Sequence, residues 1–153
     1  MLKPIAVATL IAGTLDIVAA FTLSALAGVS PVRVLQFVAS GPLGDGALAG
    51  TGYAAAGLAV HFGIMTFMAA AYMIVAARVP ALLRHPLVTG PVYGLLLWFV
   101  MYWLVRPVRW PNLQPTAEPA ALAGQLFCHL ILVGIPIALV ARHFLLPRQP
   151  AFR

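Results

Sequence analysis

Residues Ala54–Ala77 read AAAGLAVHFGIMTFMAAAYMIVAA. The stretch contains no Lys, Arg, Asp or Glu, and it is longer than the roughly 20 apolar residues a helix needs to cross a bilayer. One ionisable side chain, His61, interrupts it. The same pattern recurs on both sides. Asp16 lies inside the apolar run from Ile5 to Val29, and His129 inside the run from Ala120 to Ala141. A fourth apolar run, Gly90 to Val105, carries four of the seven Trp and Tyr residues, Tyr93, Trp98, Tyr102 and Trp103. The pattern predicts an all-α integral membrane protein, a four-helix transmembrane bundle with spans over about 5–28, 52–77, 90–106 and 120–145.

Composition agrees. The 153 residues are 63% hydrophobic and 8% charged, against about 25% charged in soluble domains. The length suits one compact domain, 1–153. The net charge of +6 comes from residues at the ends of apolar runs, so it is a topology signal. Basic clusters interleaved with aromatics are missing, which argues against nucleic-acid binding. The single Cys128 excludes an internal disulfide, and its place beside His129 puts it on another helix face, where packing is its expected role.

The connections carry local signals. Ser30-Pro31 is a helix start, with Ser as N-cap and Pro at the first helical position. A short interfacial helix should follow between the first two spans and end at Ser40-Gly41-Pro42, with Gly44-Asp45-Gly46 as a turn and Asp45 exposed to water. Arg84 and His85, in a short proline-bracketed connection, are expected to anchor at the headgroups. At the N-terminus, Ala25-Leu26-Ala27 fits a signal-cleavage site. The apolar run is long for a signal and holds Asp16, so a retained first span is the expectation. Lys3, Arg78, Arg84, Arg142, Arg148 and Arg153 stand on one side of the bundle, and Arg33, Arg106 and Arg109 on the other. The positive-inside rule then places both termini in the cytoplasm.

Helix rise puts His61 and His129 roughly 12–14 Å from the outer span ends, and Asp16 roughly 18 Å in. All three belong near the middle of a core about 30 Å thick. Charged groups at that depth face a protein interior or a water-filled cavity. Helical spacing groups Thr9, Asp16, Ala20 and Ser24 on one face, Gly57, His61, Met65, Met68 and Tyr72 on another, and Gln125, His129 and Pro136 on a third. Gly90 and Gly94 form a small-xxx-small pair suited to close helix contact. The expected polar intramembrane cluster is Asp16, His61, His129 and Gln125, with a His hydrogen-bonded to Asp16 directly or through water.

Three chemistries suit such a cluster: a hydrogen-bond network that fixes helix register, proton or solute handling, or a haem or metal held by His61 and His129. Met65, Met68 and Met73 read as lipid or core contacts rather than a copper site. Pro136, which frees the carbonyl of Leu132, and Gly134 suggest a hinge or an accommodated kink. No GxSxG, Walker, HExxH or CxxC motif occurs, so no enzyme is expected. The first expectation is a structural or accessory membrane subunit, in a complex or as a homo-oligomer. A proton-coupled transporter or channel-like protein and a haem- or metal-binding electron carrier are the alternatives.

Four stretches also carry a resemblance: Leu35–Gly41 (LQFVASG), Gly57–Phe62 (GLAVHF), Leu83–Leu87 (LRHPL) and His129–Ala138 (HLILVGIPIA). They resemble parts of uncharacterised bacterial four-helix inner-membrane proteins, distantly similar to the YagU-like proteins. The resemblance implies the four-span fold and a bacterial inner-membrane location, and it implies no reaction.

Overall fold

The computed structural model of the chain describes residues 1–113 and 116–146. Arg148 and Arg153, which enter the charge count above, lie outside the described residues. Five helices account for the fold: α1 (Leu2–Leu26), α2 (Pro31–Leu43), α3 (Tyr53–Arg78), α4 (Pro86–Arg109) and α5 (Pro119–Leu145). Among the described residues no strand occurs. All but α2 are long and apolar enough to cross a membrane. Their outer faces expose large apolar side chains such as Leu10, Phe67 and Val92, the surface that lipid covers.

The interior is built from small residues. Ala8, Ala12, Ala69, Ala76, Ala138 and Ala141 are fully buried, and small side chains let helices approach closely where no hydrophobic force drives them together. The α4–α5 contact is closest. A Cβ on Gly94 would land on the carbonyl of His129, and one on Gly134 would land on the carbonyl of Gly90. The Gly90/Gly94 pair therefore makes the contact its spacing predicts, and α5 supplies a third glycine that meets it.

Helix ends follow local chemistry. The Ser30 hydroxyl accepts from the Arg33 amide at 3.3 Å, with Pro31 at the first helical position. α2 runs through Pro42 and stops at Leu43, beyond its expected end, because Gly44 supplies the positive φ of 82° that terminates it. α4 starts at Pro86 rather than Gly90, with Pro86 at N1 and Pro91 inside the helix; the interior proline forfeits one bond, to Leu87. Glu118 caps α5, its carboxylate accepting from the amides of Ala120 and Ala121.

α4 and α5 each contain a π-helical segment, Val100–Val105 and Cys128–Gly134. Each segment ends just before a proline, Pro107 or Pro136. A proline ring clashes with the carbonyl four residues back, and a widened turn upstream relieves that clash without ending the helix. Arg106-Pro107 therefore does not close the third span, and α4 continues to Arg109.

Lys3 Nζ lies 6.0 Å from the Phe144 ring, so the start of α1 and the end of α5 share one end of the bundle. α1 packs against α3 and α5, and α4 packs on α5. α2 lies across α3, where a Cβ on Gly57 would strike the Leu35 carbonyl. Arg109 closes the ring from α4 to α2. Its Nε donates to the carbonyls of Ser40 and Gly41 at 2.9 Å, and its Nη2 to Ser40 at 2.6 Å.

Candidate functional site: an intramembrane cavity

The ring of helices encloses a cavity of about 550 Å³. It begins under α2, beside Phe37, Gly41 and Pro42, and reaches inward to Asp16, His61, His129 and Gln125. The four residues singled out from sequence thus converge on one space. Its walls are otherwise largely apolar, including Ile64, Met65, Met68, Met101, Val105 and Val133. Met73 lies in the solid core and Cys128 is buried and free.

Depth follows from position along each helix. Asp16 is ten residues from Leu26 and His129 ten residues from Pro119, about 15 Å each. His61 is eight residues from Tyr53, about 12 Å. Beyond this level the bundle is packed. Ala69, Met73, Ala76, Ile137 and Ala138 are fully buried, the Tyr93 hydroxyl donates to the Met68 carbonyl at 2.7 Å, and Tyr72 to Thr89 at 3.0 Å. The cavity is one-sided: it lies at the end of the bundle where α1 finishes and α3 begins.

The polar groups differ in what they bond. His61 is 8% exposed, and its Nε2 lies 2.9 Å from the Gly13 carbonyl. A carbonyl only accepts, so Nε2 carries a proton, and in the neutral imidazole Nδ1 keeps a lone pair. His129 Nδ1 lies 3.0 Å from the Gln125 carbonyl; by the same reasoning Nδ1 carries its proton and Nε2 keeps the lone pair. The Gln125 side-chain oxygen accepts from Trp98 Nε1 at 3.3 Å, and its amide N–H groups have no partner among the described residues. Asp16 has no hydrogen-bond or ion-pair partner among the described residues, where the ion pair is Arg109–Asp45 at 2.7 Å. Among the described residues no His bonds Asp16 directly: each imidazole N–H takes a carbonyl at hand on its own or the neighbouring helix. Asp16 remains within Coulombic reach of both His129 and His61.

Among the described residues no three His, Cys, Asp or Glu side chains gather closely enough to hold a metal ion. His61 Nε2 is engaged by Gly13, which leaves Nδ1 as the nitrogen that could ligate.

Arg106, Arg109, Tyr102 and Trp110 also line the cavity, although in sequence the two arginines count only as charges on one side of the bundle. The Arg106 guanidinium lies 5.7 Å from the Tyr102 ring centre, and Arg109 lies 5.1 Å from that of Trp110. Trp110 stacks on Phe37 at 4.5 Å. Their signal was present: Tyr102, Arg106 and Arg109 fall four and three residues apart, one helical face once α4 is allowed past Pro107. Asp45 is exposed, as expected of a turn residue, and also pairs with Arg109.

No protein-family model, curated protein or solved structure matches the chain.

Proposed function

We propose that this chain is a small proton-coupled solute carrier. The cavity binds the solute, and Asp16 with His129 exchanges the proton. The observation that carries this reading is the Asp16 carboxylate, which lines the cavity with no bonding partner among the described residues. A carboxylate at mid-membrane costs about 2.5–3.5 kcal/mol on insertion scales. A purely architectural residue recovers that cost through partners, as His61 and Arg109 do; Asp16 does not. His129 in its neutral form offers a lone pair on Nε2 that can take a proton, so the pair suits proton exchange with whatever fills the cavity. The accessory-subunit reading explains the packing of α4 on α5 equally well, and it gives no reason for an unpartnered acid.

The location that goes with this reading is a bacterial inner membrane, both termini cytoplasmic and the cavity opening outward. It is supported by the Lys/Arg bias and by the distant likeness to YagU-like proteins. Arg33 and Arg109 on the sparser side are moreover engaged, Arg33 with the Leu48 carbonyl and Arg109 with α2 and Asp45.

The test is proton movement into liposomes that hold purified protein and a trapped pH dye. Wild-type protein should move protons under an imposed gradient, and Asp16→Asn, folded by its melting curve, should not. Equal rates in the two proteins, or none in either, would remove the reading.

A further inference from the structure

Two polar groups at the cavity mouth stand unused. Arg106 Nε is buried and has no hydrogen-bond partner, and Trp110 Nε1 is in the same state. Both residues line the cavity. Arg109 differs: its guanidinium is spent on Ser40, Gly41 and Asp45. Among the described residues no carboxylate pairs with Arg106. A guanidinium is a planar fork of donors matched to carboxylate and phosphate, and a buried donor left unmade costs the full desolvation of that group. Both atoms are shielded as the side chains stand, and the Arg106 guanidinium, unpaired among the described residues, lines the cavity beside Trp110 as a cation suited to an anion. The walls leading inward from them are methionine and aliphatic, with Met65, Met68 and Met101 the flexible members. Methionine fills irregular space and adapts to ligands of varied shape.

We propose that the cavity takes an amphipathic monoanion: a carboxylate or phosphate head held by Arg106 and Trp110, with an apolar chain laid inward along the methionines. Arg106 is three residues from the end of α4, about 5 Å, so the head lies near the headgroup layer. The chain points toward Asp16 and His129, about 10 Å deeper. This inference rests on the cavity being a solute site and specifies the solute class. A proton carried on Asp16 or His129 balances the charge of a monoanion, so the two would cross together as a neutral pair. The same head chemistry is offered by a free fatty or aryl acid and by an anionic lipid.

The experiment is a tryptophan-fluorescence titration of purified protein in neutral detergent with octanoate, octyl phosphate and octanol, which share a chain and differ in head. Octanoate and octyl phosphate should bind and octanol should bind about tenfold or more weakly. Arg106→Gln should erase that difference, and Asp16→Asn should preserve it. Retention of the head preference in Asp16→Asn separates this site from the proton-exchange reading, which can fail alone. Native mass spectrometry from nanodiscs containing phosphatidylglycerol assigns the source. Lipid retained by wild type and lost in Arg106→Gln supports an anionic lipid, and octanoate binding without retained lipid supports a free acid. Melting curves confirm that each variant is folded, with Arg106→Lys as a second variant that keeps charge and loses the fork. Equal binding of the three probes, or an Arg106→Gln protein that still prefers octanoate, overturns the proposal.

Discussion

His61 Nε2–H donates to the carbonyl oxygen of Gly13 at 2.9 Å and ties α3 to α1 at mid-bundle. The bond makes His61 the structural member of the polar cluster and leaves Asp16 and His129 as the members free for chemistry. Interhelical hydrogen bonds in membranes contribute about 0.6 kcal/mol on average and up to about 1.7. His61→Phe should therefore lower stability by about that amount in reversible unfolding from bicelles while proton movement continues. His129→Phe should do the reverse, with little change in stability and proton movement lost. A His61→Phe protein of normal stability that moves no protons contradicts the division of roles.

Gly94 faces the backbone of α5. Its Cβ would land on the His129 carbonyl, and no side chain is there to yield. Gly94→Ala should push the helices apart, cost about 1–3 kcal/mol as overpacking does, and shift His129 within the cavity. Gly63 is the internal control, since nothing lies within 4 Å of its Cβ position. Gly63→Ala should be neutral or stabilise by up to about 1 kcal/mol from helix propensity. Similar melting temperatures for the two variants contradict the close contact.

Arg109 holds the C-terminal end of α2 through two carbonyls. A cation at a helix C-terminus stabilises by up to about 2 kcal/mol when partly buried. Arg109→Gln should raise hydrogen exchange in the last turns of α2, and Arg109→Lys should restore little, because one ammonium cannot reproduce the fork. Asp45→Asn should matter far less. Its side chain is 76% exposed, and exposed ion pairs contribute about 0–1 kcal/mol. Exchange in α2 that is the same in Arg109→Gln and wild type is the contrary result.

Much of this fold is written in runs and spacing. The four apolar runs, the Ser30-Pro31 start and the Gly90/Gly94 pair all read correctly, because each is a local rule with one strong physical cause. The convergence of Asp16, His61, His129 and Gln125 was also legible, since polar groups at mid-membrane turn away from lipid. Their bonding was not. Every carbonyl in a helix is a possible acceptor, so which one His61 finds depends on how α3 meets α1. The roles of Arg106 and Arg109 were hidden by Pro107. A proline reads as a helix end, and here the π-helical turn before it carries α4 onward and swings both arginines to the cavity. Glu118 is the cap of α5, and Glu lies outside the usual N-cap set of Ser, Thr, Asp and Asn.

The central claim is that Asp16 presents a reactive carboxyl to an open cavity. The chain has three acidic residues. The other two, Asp45 and Glu118, are engaged with Arg109 and with the start of α5. Dicyclohexylcarbodiimide is apolar enough to enter such a cavity and couples to protonated carboxyl groups. The measurement is labelling of the folded protein in liposomes, with peptide mapping by mass spectrometry beside the proton-movement assay. One adduct is expected, on Asp16, with an extent that tracks the loss of proton movement. Asp16 left unlabelled in folded, reagent-exposed protein, or complete labelling with proton movement unchanged, would contradict it.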